Sequence, residues 1–311
     1  MHQRKHRCLP CLLLGLALGT TLFCVSLWAD SIEIPNLEKS SKRLLHRAVG
    51  DLDPASPIHL AARLGPEQMT AAFYHGTRVE RLIALDAAAS CRDNAFYLAP
   101  SLIALMGAAD RQVASLAARA LNHIVFAAVG RPDGFDSMVP KQAGQLIAQL
   151  ENVAEDARID VDIRHIAVVA IAPLRQVSGE NVDEWALSLL NDEALLIRRQ
   201  ALGLLSLPLS KPAVSSIVKA ATADSSLEIR GEAVAMLCEN ALAHGVMSPS
   251  EDLSTLMGTT LQTPKMPVDA MGGILACLSE LEGEKRDALV QQAIAHPDPS
   301  VKQYWKSLKA K

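Results

Sequence analysis

Aromatic side chains are scarce in this chain, at 4% of 311 residues. Strands favour aromatic and β-branched residues, whereas Ala and Leu dominate the apolar half of this sequence and suit helices. A sheet-built fold is therefore disfavoured and an all-α one expected. Also missing is any stripe of Lys and Arg with interleaved aromatics, so nucleic acid is not an expected partner. After residue 29 there are histidines at 46, 59, 75, 123, 165, 244 and 296. None is followed by Glu and no two stand at the i, i+4 spacing of a helical metal site. No G-x-S-x-G elbow, phosphate loop or dinucleotide fingerprint occurs. The carboxylate pairs Asp183–Glu184 and Glu251–Asp252 fall at helix starts, where the helix dipole explains them. No catalytic, cofactor-binding or metal-ligating residue is assigned, no cofactor is expected, and a non-enzymatic role follows.

Cationic charge is concentrated at one place. "MHQRKHR" carries Arg4, Lys5 and Arg7 with no acid, and an apolar run to Ala29 follows. Charge, apolar stretch and small residue form the layout of a secretory signal. The run is nearly long enough to span a bilayer, so residues 1–29 read as either a cleaved signal peptide or an uncleaved membrane anchor. The rest is expected in the periplasm or secreted, or held at the inner membrane by residues 9–29, its only membrane contact. Without residues 1–29 the balance is 27 basic against 34 acidic, a net of −7. Residues 30–57 read as a polar tether and the start of an N-terminal cap.

What the sequence has in quantity is repetition. "EALLIRRQALGLL" at Glu193–Leu205 and "SSLEIRGEAVAML" at Ser225–Leu237 are near-twins. Further copies align on apolar anchors at Val79, Val113, Ile163, Ile197, Ile229, Val268 and Val301, spaced 34, 50, 34, 32, 39 and 33 residues apart. Four positions after each anchor stand Ile83, Ala117, Ala167, Ala201, Ala233, Gly272 and Trp305. A small residue there lets a neighbouring helix approach closely. Asp110, Asp160, Asp192, Asp224 and Asp298 precede anchors, where Asp can accept bonds from free backbone N–H groups. Between anchors there is room for a second helix, for instance "KPAVSSIVKAATAD" and "EKRDALVQQAIAHPD". Such pairs cannot bury their apolar stripes alone and are expected to stack.

The phrase acidic–x–x–apolar–Arg–x–x–Ala–x–x–x–Leu, seen best at Asp160–Ile171 and Asp224–Leu237, resembles HEAT-type repeats, particularly the short variety also found in phycobilin lyases. The resemblance runs from Val79 to Lys311 and implies an α-solenoid of antiparallel helix pairs, with its domain at 58–311. The Arg column fails at Glu80, Ala114 and Asp269, which breaks the polar ladder between repeats. "VKQYWKSLKAK" would close the stack with one helix, its Lys302, Lys306, Lys309 and Lys311 facing outward.

Three cysteines follow the leader, Cys91, Cys238 and Cys277. Cys238 and Cys277 share a column nine residues after their anchors. Neighbouring helices sit about 8–10 Å apart and a disulfide needs Cα atoms within about 7 Å, so free buried thiols are expected.

Two surfaces are candidates for a partner. The long spacing between Val113 and Ile163 points to an insertion at Val129–Gln142, where Arg131, Asp133, Phe135, Asp136 and Met138 sit among turn formers. Phe135 and Met138 would be apolar contact anchors in an exposed turn, or the loop folds back on its own repeats. The other surface is the second-helix row, where Trp185 either packs between repeats, the favoured reading for a usually buried residue, or stands on the face. The expected function is an exported scaffold or adaptor that binds another protein of the cell envelope. The alternative, from resemblance alone, is a chromophore-lyase-like or protein-modifying accessory protein.

Overall fold

A computed structural model describes residues 35–48, 56–90, 95–129, 138 and 140–309. The expected leader at 1–29 lies outside them, as do Cys91 and Lys311. The chain is all-α, and no strand occurs among the described residues. It divides into two compact units, Met1–Phe135 and Asp136–Lys311. The boundary between the units falls within Val129–Gln142.

The first unit contains α1 (Lys39–Ala48), α2 (Ser56–His75), α3 (Arg78–Ala88), a 3-10 turn at Ala95–Leu98, α4 (Ala99–Met106) and α5 (Arg111–Val129). Helix α1, within the segment 30–57 read as tether and start of a cap, packs on α2 and α3 and buries Leu45 completely. One fully buried Leu, with Ser41 a turn earlier on the same face, anchors an otherwise polar segment. Helix α2 breaks at Gly65, whose φ of 70° is open to glycine, and Pro66 starts its second half. Helices α2 with α3 and α4 with α5 pair, and α3 rests on α5. Helix α5 is long and apolar enough to cross a membrane by length and composition, but half of it is buried among its neighbours.

The second unit is regular. Its anchor helices are α7 (Val161–Ser178), α9 (Leu195–Leu204), α11 (Leu227–Ala243), α13 (Val268–Glu280) and α15 (Pro299–Lys309). They alternate with partner helices α6 (Pro140–Glu155), α8 (Asp183–Leu189), α10 (Lys211–Ala223), α12 (Glu251–Gln262) and α14 (Glu284–Ala295). Each anchor helix packs on the next anchor helix in sequence, and α8 meets α10 as α12 meets α14. Ser210 and Ser250 cap α10 and α12 through bonds to Ala213 N–H and Leu253 N–H. Much of the long Val113–Ile163 spacing goes into helix rather than loop, since α6 has 16 residues where α8 has 7.

Five anchors are buried: Val113, Ile163, Ile197, Ile229 and Val301. Val79 is 50% exposed and Glu80 takes the inner place at 2%. A capping box causes this shift. Glu80 Oε2 accepts from Thr77 N–H at 2.8 Å, and Thr77 Oγ1 accepts from Glu80 N–H at 3.4 Å, so the helix starts with Glu80 turned inward. His46 Nε2 lies 3.2 Å from its other oxygen. In the column four residues on, Ala117, Ala167, Ala201, Ala233, Gly272 and Trp305 are all buried. Trp305 is buried on the last described helix, with the Arg286 guanidinium 5.9 Å from its ring centroid. Beside it on α15, Lys302 is half-buried and Lys306 exposed.

The thiol expectation is overturned: Cys238 and Cys277 form a disulfide joining α11 to α13, with Cα atoms 6.2 Å apart. The usual interhelical distance does not apply at this crossing. A Cβ on Gly231 would stand 2.8 Å from Ala270 Cβ, and one on Gly273 would stand 2.7 Å from Ala235 Cβ. Two glycines facing two alanines let the backbones close in, and the cysteines follow within bonding range.

Candidate binding groove

All five of the aspartates before anchors accept backbone N–H groups two residues on. The donors are Gln112, Asp162, Ala194, Ser226 and Ser300, at 2.7–3.0 Å. Two of these carboxylates do more. Arg164 on α7 pairs with Asp192 at the start of α9, and donates from Nε to Ala154 O at 2.6 Å. Arg198 on α9 holds both oxygens of Asp224, at 2.9 and 3.0 Å. Its remaining N–H groups reach Asp192 O, Glu193 O and Ser225 Oγ. All five guanidinium donors are therefore used. The ladder stops at Arg230, whose Nε turns back to Asp224 O at 2.7 Å, because no aspartate precedes Val268. Beyond that point the disulfide and the glycine contact join the next helix.

Locking α7, α9, α11 and α13 side by side leaves an open groove of about 610 Å³ across them. Leu196, Leu202, Ala235, Met236 and Ala270 supply its apolar lining. Arg199 stands over it, bound to Glu228 Oε1 and Glu232 Oε1, each at 2.8 Å. Burial, with Glu228 alongside, pushes the Glu232 carboxyl above the usual range against the pull of Arg199. His165 Nε2 lies 3.4 Å from Gln200 Oε1. Glu239 and Asp269 complete the lining.

The sequence pointed instead to the Val129–Gln142 insertion and to the partner-helix row. The signal was nonetheless present: His165, Arg199, Gln200 and Glu232 stand two or three positions after successive anchors. Of the residues that were singled out, Arg131, Asp133, Phe135 and Asp136 lie outside the described residues. Met138 is 7% exposed, so it is not the exposed apolar anchor expected of it; its thioether chain is withdrawn from water. Trp185, on α8, is half-buried and donates from Nε1 to Glu155 Oε1 of α6 at 2.8 Å. The groove does not include it. Asp183 accepts from Ser206 N–H at 3.2 Å, and Glu251 binds Lys285 Nζ at 2.8 Å. No cluster of three His, Cys, Asp or Glu side chains able to hold a metal occurs among the described residues.

The fold defines the chain as an all-α protein built from successive helix pairs. Comparison with protein families, curated proteins and solved structures finds no match for it.

Proposed function

We propose that this chain is an exported, non-enzymatic helical-repeat scaffold of the cell envelope, a HEAT-like α-solenoid that docks another protein. The observation that carries this reading is the groove. Its lining comes from the same side of four successive anchor helices, as a docking surface spread over repeats requires. The Arg–Asp ladder supports it by holding α7, α9 and α11 in fixed register. The Cys238–Cys277 bond supports export, since structural disulfides persist in oxidising compartments. The cationic and apolar layout of residues 1–29 points the same way.

Photocrosslinking in intact cells tests the proposal. A crosslinking residue at position 200 in the groove, compared with one at position 185 on the partner-helix row, should give a discrete adduct with one envelope protein. The adduct should be released with, or remain attached to, the envelope fraction. A cytosolic chain that yields no adduct from either position would refute it.

A further inference from the structure

Three observations converge at the groove. The first is charge. The one arginine in its lining, Arg199, is already matched by two glutamates, Glu228 and Glu232. The side chains of Glu239 and Asp269 stand at the groove and make no hydrogen bond or ion pair to any described residue. The second is the floor. Leu196 and Met236 are half-buried within this polar frame, with Leu202, Ala235 and Ala270 behind them. The third is Gly203, in the last turn of α9. Its φ is not positive, so it does not end the helix as a left-handed cap, and a Cβ there would meet nothing within 4 Å. Neither packing nor backbone conformation asks for glycine, which costs up to about 1 kcal/mol relative to alanine within a helix. The glycine leaves bare backbone open to the groove, as close approach of another chain would use.

We propose that this groove receives a basic amphipathic polypeptide segment of the partner, with apolar side chains on the Leu196–Met236 floor and Lys or Arg against Glu239 and Asp269. This rests on the docking reading above and gives it a site and a chemistry. Carboxylates without partners lose little hydration while the groove is open, and they select by sign when a segment closes over them. The apolar floor supplies the attraction that does not depend on charge. A bare helix backbone at Gly203 admits a segment at short range where a larger side chain would hold it off.

The test uses the full chain with its Cys238–Cys277 bond intact and two labelled peptides about four helical turns long. Both carry Leu on one face; one carries Lys on the other and one Glu. Fluorescence anisotropy should show the Lys peptide binding at least about tenfold more tightly than the Glu peptide. Combined Glu239→Lys and Asp269→Lys should reverse that preference. Gly203→Leu should abolish binding, while Gly203→Ala leaves the helical content and unfolding midpoint unchanged or raised. Equal binding of the two peptides, indifference to charge reversal, equal binding when Ser replaces the Leu face, or displacement of the peptide by equimolar spermine would each overturn the proposal. Failure here alongside a discrete cellular adduct from position 185 would leave the scaffold standing and remove only the groove. Peptide binding with no adduct in cells would do the reverse.

Discussion

The same pairing, arginine to a helix-start aspartate, occurs in both units with opposite settings. In the first, Arg78 and Asp110 meet at 2.5 Å with 59% and 31% of their side chains exposed. In the second, Arg198 and Asp224 meet at 2.9 Å with 9% and 8% exposed. Asp110 also accepts from Gln112 N–H in the helix it precedes, and Asp224 from Ser226 N–H at the edge of its helix. Solvent weakens the first pair and makes it replaceable, because water hydrates either partner when the other is lost. The second pair has left water, so its geometry has to satisfy every donor, and losing one partner strands a charge. Contact distance says little about what a pair is worth; burial and the remaining hydrogen bonds decide it.

The largest effect should come from breaking the buried pair. Arg198→Ala leaves Asp224 without its counter-ion and should cost the second unit about 3–5 kcal/mol in urea unfolding. A loss no larger than that of Arg78→Ala would erase the distinction between the settings. Next is the junction where the ladder ends. Cys238→Ser with Cys277→Ser opens a crosslink spanning 39 residues and should cost about 2–4 kcal/mol. A thiol reagent added in denaturant without reductant should leave both cysteines of the parent unlabelled, and labelling there would show that the small-residue contact alone joins α11 to α13.

Acid should act more gently. The Glu80 carboxyl sits below its usual range. Burial pushes it upward, but the hydrogen bonds from Thr77 and the nearby charges of His46 and Lys42 outweigh that push. A carboxyl lowered on folding contributes fully above its unfolded pKa, and that contribution fades as pH falls through the folded value. The first unit should therefore weaken in the window below the ordinary carboxylate range, and Glu80→Gln should flatten that loss. An unaltered acid limb in the variant would place the acid sensitivity elsewhere. The smallest effect belongs to Arg78→Ala, which should leave the thermal midpoint unchanged at both low and high salt. A salt-dependent drop would mean that the exposed pair is stronger than its setting implies.

Much of the architecture was legible in the sequence because helices advertise themselves locally. Ile163, Ile197 and Ile229 lie in the first turn or so of α7, α9 and α11 and are buried where the period placed them. The preceding aspartates accept the bonds expected of them. The register at Val79 was not legible, because a capping box can turn a glutamate inward against the hydrophobic pattern. The groove was legible only as unexplained polar positions after each anchor. Nothing along the chain says that His165, Arg199 and Glu232 share one depression until the helices carrying them are packed together.

The sequence by itself determined the helical class, five of the anchors and the aspartates that precede helices, since each depends on residues within a few turns of one another. Only the tertiary structure decided which charges left water, how closely α11 and α13 approach, and that Cys238 meets Cys277. Those outcomes turn on distances between segments far apart in the chain. The disulfide shows the physical reason most directly: Gly231 and Gly273, facing Ala270 and Ala235, removed the side-chain bulk that normally keeps two helices beyond bonding range.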